Sequence, residues 1–75
     1  MNEKKIKLGA PDEVLEFVQG ASKCEFDIDV VYQSIILDAK SFLGIIGLGL
    51  PKEITVKYGG EDLAFEDLLG KYVVA

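Results

Sequence analysis

The 75-residue chain contains no histidine. That single absence excludes a phosphohistidine carrier, a histidine-ligated metal site and a Ser-His-Asp triad together. Cysteine is nearly absent too. Cys24 stands alone, so no internal disulfide is possible and the chain needs no oxidising compartment. Long hydrophobic runs are missing: every apolar stretch falls far short of the ~20 residues that span a membrane. The N-terminal "MNEKKIKLGA" has basic residues with no apolar stretch behind them, unlike a secretory leader. Positive charge is scarce, with 8 basic residues against 13 acidic ones and a net charge of −5. An acidic surface repels phosphate backbones and anionic lipid, so nucleic acid and membrane are not expected as partners. Proteins with basic patches are. A soluble cytoplasmic protein is the default expectation.

What remains is the composition of a globular domain: 49% hydrophobic and 28% charged residues, too apolar for a disordered chain. The length allows one core, so residues 1–75 form one domain. A domain this size buries only roughly 60–65% of its unfolded surface, which leaves its stability marginal.

The punctuation along the chain marks elements and not domains. "KIKL" (5–8) alternates polar and apolar residues, the signature of a strand. "GAPDE" reads as a helix start: Pro11 suits the first turn, and Asp12 and Glu13 favour its positive end. Val14, Phe17, Val18 and Ala21 then form one apolar stripe, and the helix ends near Ser22 or Lys23. "FDIDVVY" (26–32) alternates as a half-buried antiparallel strand, turning through Gln33 and Ser34 into a partner strand, "IILD". "EITVKY" (53–58) alternates again. "GGED" opens a last amphipathic helix with Ala64, Phe65, Leu68, Leu69 and Tyr72. The order β-α-β-β-α-β-α is solved most economically by an α+β domain: helices on one face of a four-stranded, mostly antiparallel sheet. Ferredoxin-like folds share much of this order, so the pattern alone leaves the topology open.

The least ordinary stretch is "DAKSFLGIIGLGL" (38–50). Ser41 stands where a helix N-cap belongs, before "FLGIIGL". Phe42, Leu43, Ile45, Ile46 and Leu48 are too many apolar residues for a one-sided short helix. Gly44 and Gly47 each lower helix propensity by roughly 1 kcal/mol and permit close approach of another backbone. A short, distorted helix with some apolar residues inward and some outward is expected.

"QGASK" (19–23) and "AKSFLGIIGLG" (39–49), spaced as they are, resemble the histidine-containing phosphocarrier protein (HPr) family of the bacterial sugar phosphotransferase system. The second stretch is similar to that family's Lys-Ser-(Ile/Phe)-(Met/Leu)-Gly signature, and the likeness runs from about Val14 to Val56. It implies an HPr-like open-faced β-sandwich with strand order 1-4-2-3. The family's carrier loop, Gly-Ile-His-Ala-Arg-Pro-Ala, is matched only by the shorter "KLGAPDEV", which has neither histidine nor arginine. Counting back from "ASK" puts Ala10 at the histidine position and Asp12 at the arginine position. The imidazole nucleophile and its phosphate-holding partner are therefore missing. A second family site is retained in kind. The resemblance implies that Ser41 matches the serine phosphorylated by HPr kinase/phosphorylase, and that Phe42, Leu43 and Ile46 match the apolar partner-docking surface. A phosphate there adds roughly −1.5 to −2 charge, where backbone N–H groups favour an anion. The implied partners are that kinase, other phosphotransferase-system proteins or a transcriptional regulator of carbon catabolism.

Other groups read more simply. Asp27 and Asp29 alternate on a strand and with Asp38 form a solvated face, so no metal site is expected. Cys24 has no activating neighbour beyond Lys23 and reads as a small buried hydrophobe. "KYVVA" (71–75) is apolar for a tail and is expected to pack on the sheet or helix layer, with pairing to another chain the alternative. No nucleophile–base pair and no cofactor motif is present, so neither a catalytic residue nor a cofactor is expected. The functional expectation is a non-carrier, regulatory or partner-binding relative of the phosphocarrier. The alternative is a small structural or assembly domain that has kept the fold without a phosphotransferase role.

Overall fold

In the computed structural model, which describes residues 1–74, seven elements follow one another: β1 Asn2–Leu8, α1 Pro11–Ser22, β2 Ile28–Tyr32, β3 Ile35–Asp38, α2 Phe42–Ile46, β4 Lys52–Tyr58 and α3 Leu63–Tyr72. The strands form one antiparallel sheet ordered β1-β4-β2-β3. The topology that periodicity left open is thus the one implied by the family resemblance.

Alternation decides which side of the sheet is covered. Ile6 and Leu8 of β1, Ile54, Val56 and Tyr58 of β4, and Ile28 and Val30 of β2 all point to the helix layer and are buried. Val14, Phe17, Val18 and Ala21 on α1, with Phe65 and Leu69 on α3, close over them. The intervening residues, Lys5, Lys7, Glu53, Thr55, Lys57, Asp29 and Ile36 among them, form the open face. Among the described residues the buried side chains carry only two polar groups, the Cys24 thiol and the Tyr58 hydroxyl, which donate to the Gly20 carbonyl and the Glu66 carboxylate.

Three strand starts differ from expectation, the least of them β4, which begins one residue early at Lys52. β1 begins at Asn2, although residues 2–5 are all exposed, because β4 is long enough to pair Asn2 with Tyr58. β2 begins at Ile28 and not Phe26, because Ile28 already meets Tyr58, the end of β4. Phe26 instead stacks on the Tyr58 ring at 6.2 Å between centroids. The tail expected to pack does so along the sheet edge: Val73 bridges Ile6, and the Val74 N–H donates to the Lys5 carbonyl at 2.9 Å. Ala75 lies outside the described residues. No helix among those residues is long and apolar enough to cross a membrane.

Candidate docking surface around Ser41

α2 is a single short turn and a half, fixed at one end by a side chain. Ser41 is its N-cap: the hydroxyl oxygen accepts the Gly44 N–H at 3.3 Å, and the Ser41 carbonyl accepts from Ile45 at 3.1 Å. Just before it, the Asp38 carboxylate accepts the Lys40 N–H at 2.9 Å, and the Asp38 carbonyl accepts the Ser41 N–H at 2.9 Å. These local bonds turn the chain from β3 into α2 and hold Ser41 at the surface, where it is exposed.

The helix divides its apolar residues as its length requires. Ile45 is 1% exposed and joins the core, while Leu43, half a turn away, is 80% exposed. Phe42 and Ile46 are half-buried and lean on the core, as are Leu48 and Leu50 beyond them. Ser41, Phe42, Leu43 and Ile46 therefore stand together on one small element, with Leu43 as its outward centre. Leu48 and Leu50 extend the half-buried border, a role the residue pattern did not single out. What lies close to Gly44 is not another backbone: a Cβ there would meet the Ser41 oxygen at 2.8 Å and a Leu37 methyl at 3.6 Å. At Gly47 a Cβ would press on the Leu43 carbonyl of its own turn at 3.2 Å. The glycines keep the serine cap and the turn close. Past the helix, Gly49 adopts φ +87°, a conformation that only glycine takes without strain.

α1 packs beside α2, and its start carries the other residues singled out by the sequence. Ala10 is the N-cap and offers no side-chain bond; Pro11 occupies the first turn. The Glu13 carboxylate reaches back to accept the Gly9 N–H at 2.7 Å, closing the turn with an internal anion. Asp12 is exposed beside it. Two carboxylates and no basic side chain thus mark the turn that the resemblance sets against the carrier loop.

Elsewhere the chemistry is subdued. Cys24 is 5% exposed; its thiol donates to the Gly20 carbonyl at 3.6 Å, and burial first, then the nearby Asp62 charge, pushes its pKa up. It is packing, not a nucleophile. Asp27, Asp29 and Asp38 are exposed, and among the described residues no three histidine, cysteine or carboxylate side chains converge as metal ligands. A groove of about 530 Å³ between α1 and α3, lined by Glu16, Gln19, Lys23, Asp62 and Leu68, brings together no nucleophile and base.

No protein-family model and no curated protein matches the chain. Solved structures do. The chain is similar to HPr-C-His from Thermoanaerobacter tengcongensis, with 28% identity, a TM-score of 0.75 and coverage of 95% of this chain and 93% of that one. It is similar to the phosphocarrier protein HPr of Bacillus anthracis, with 26% identity, a TM-score of 0.71 and 95% of each chain covered. A mycoplasma histidine-containing phosphocarrier protein shares the fold at 15% identity and a TM-score of 0.71, over 93% of each chain. The chain has the HPr-like fold and is related through it to the phosphocarrier proteins.

Proposed function

We propose that this chain is a non-carrier HPr-like protein that docks protein partners through the α2 surface, with Ser41 as a regulatory phosphorylation site. The observation that carries this reading is the division of α2. Ile45 anchors the helix in the core, while Leu43 stands 80% exposed next to the exposed Ser41. Fully burying a leucine contributes about 1.5–3 kcal/mol, so Leu43 is placed to be a principal contact. Phe42 and Ile46 frame it with apolar surface already half supported by the core.

Carrier chemistry is absent for a compositional reason. The chain has no imidazole, and the turn at the corresponding place is closed by the Glu13 carboxylate. With Asp12 alongside, that turn disfavours a second anion by Coulomb repulsion. Ser41 has what a modification needs. Its hydroxyl is exposed and accepts one N–H, leaving the oxygen open on its solvent side. Phosphate there adds about −1.5 to −2 charge and three acceptors, a handle for lysine and arginine on a partner. The partners that fit are HPr kinase/phosphorylase, phosphotransferase-system proteins or a transcriptional regulator, and the matching compartment is the cytoplasm.

Incubation with HPr kinase/phosphorylase and ATP, read by intact mass, is expected to add one phosphate to the wild type and none to Ser41→Ala. An unmodified wild type overturns the serine switch. For docking, titration with the same kinase is expected to weaken at least about tenfold in Leu43→Asp, the loss of one well-buried contact. The unfolding midpoint should stay within a few degrees, because Leu43 lies outside the core. Unchanged binding returns the chain to the alternative, a structural or assembly domain with no phosphotransferase role.

A further inference from the structure

The two edges of the sheet are finished differently. The β1 edge is closed by its own chain: Val73 bridges Ile6, and the Val74 N–H donates to the Lys5 carbonyl. Lys4, Lys5 and Lys7 add the charges that discourage a further strand. The β3 edge has no such cover among the described residues. Its four residues, Ile35–Asp38, include no lysine or proline, and Ile35 and Ile36 are 43% and 68% exposed.

The ladder fixes which backbone groups face outward. Residues of β2 and β3 pair as Val30 with Leu37 and Val31 with Ile36, and the Ala39 N–H donates to the Ile28 carbonyl. In an antiparallel ladder, hydrogen-bonded pairs alternate with non-bonded ones. Ile28–Ala39 is a bonded pair, so Val30–Leu37 is bonded and Val31–Ile36 is not. The N–H and carbonyl of Ile36 therefore point away from the sheet, towards the open edge. On the open face Ile36 stands opposite Val31, and the next pair on that face is Asp38 opposite Asp29. Both aspartates are exposed, and directly opposed like charges repel. Asp29 has Lys57 of β4 opposite it on its other side, whereas Asp38, on the edge strand, has no basic cross-strand neighbour, so a cation on the open-edge side of Asp38 lowers the repulsion.

We propose that the β3 edge accepts an extended basic segment of a partner protein as a fifth strand. An apolar side chain of that segment lies beside Ile36, and a lysine or arginine two residues along lies beside Asp38. Backbone bonds to Ile36 supply the attachment, and the alternating side chains supply the choice. The net charge of −5 selects a basic strand and works against a second copy of this chain. The edge runs into the α2 surface through Asp38, which holds the turn before Ser41, so Ile36 and Leu43, each belonging to one surface alone, are the positions that tell the two apart.

The probe is the peptide acetyl-TVTKTV-amide, titrated into 15N-labelled protein and followed at the Ile36 and Asp38 amides. Saturable shifts are expected, weakening as salt rises from about 50 to about 500 mM. Asp29→Asn with Asp38→Asn keeps side-chain shape and the acceptor for Lys40, and is expected to weaken binding roughly fivefold or more. Ile36→Pro removes the outward N–H together with the apolar side chain, at a position where an edge strand tolerates proline, and is expected to weaken binding about tenfold with the fold intact. Equal shifts with acetyl-TVTETV-amide, or full binding by Ile36→Pro, overturn the proposal. So does a dimer of the free protein that Ile36→Pro abolishes, because the occupant is then a second copy.

Discussion

Gly60 and Gly70 have the same side chain and opposite consequences. A Cβ at Gly60 would sit 2.1 Å from Cδ1 and 2.5 Å from Cγ of Phe26, whose ring is held against Tyr58. A ring cannot swing aside as a methyl does, so Gly60→Ala is expected to destabilise by about 1–3 kcal/mol. Gly70 lies inside α3 with nothing within 4 Å of its missing Cβ. There alanine relieves only the entropy of the unfolded chain, so Gly70→Ala should stabilise by about 0.5–1 kcal/mol. Urea unfolding of the two variants checks both signs. Nothing in the sequence around "GGED" announces this difference, because Phe26 reaches Gly60 only after the sheet has formed. Ser41, by contrast, was legible as a cap from its own neighbours, since an N-cap bond spans only three residues. The exposure of Leu43 against the burial of Ile45 was not, because all their neighbours are apolar and α1 and β3 decide which side is covered.

At the scale of elements, α1 and α3 are joined by polar groups whose titration can be followed. Glu16 on α1 accepts from Lys71 at 2.5 Å and from the Tyr72 hydroxyl, both on α3. The bond to Lys71 first, then that to Tyr72, holds the Glu16 carboxyl below its ordinary 4.5, so its contribution is present above that pH and lost on acidification below it. The bond to Glu16 pushes Tyr72 up from 10.0 to about 12. A raised pKa means that this contribution is complete below pH 10.0 and is lost as pH climbs towards 12. Tyr58 moves the same way, through burial first and its bond to Glu66 second. The melting midpoint is therefore expected to fall above pH 10.0, less steeply in Tyr72→Phe and in Tyr58→Phe than in the wild type. Parallel slopes by circular dichroism would show that neither hydroxyl bond contributes. The long helices were readable because a 3.6-residue stripe is local information, β2 and β4 because strict alternation is, and β3 because a short turn follows β2. The first residues of β1 were not, since Asn2, Glu3 and Lys4 are polar and pair only because β4 extends alongside. The tail bridge to Ile6 was equally hidden, being a backbone contact between the ends of the chain.

At the scale of the molecule, one aromatic cluster ties the layers together. Phe65 of α3 lies 6.0 Å from the Phe17 ring of α1 and 5.4 Å, edge-on, from the Tyr58 ring of β4, between centroids. Tyr58 in turn stacks on Phe26, at the entry to β2. At 1% exposure Phe65 has no route to relaxation through solvent. Chains of this length have a total stability of roughly 4–11 kcal/mol at the usual stability per residue. Deleting a buried phenyl ring costs about 3–5 kcal/mol, a large share of that whole. Phe65→Leu keeps most of the volume and is expected to lose about 1–2 kcal/mol and remain folded. Phe65→Ala should bring the protein close to half-unfolded at moderate temperature, with helix and sheet signals lost in one transition, since the buried residues described form one core shared by both layers. Thermal unfolding read at a helix-weighted and a tyrosine-sensitive wavelength distinguishes this from local damage: separated midpoints would mean that α3 detaches while the sheet survives. Leu43→Asp, made on the same molecule's surface, should leave that single transition in place, and the contrast separates what holds the fold from what the fold presents.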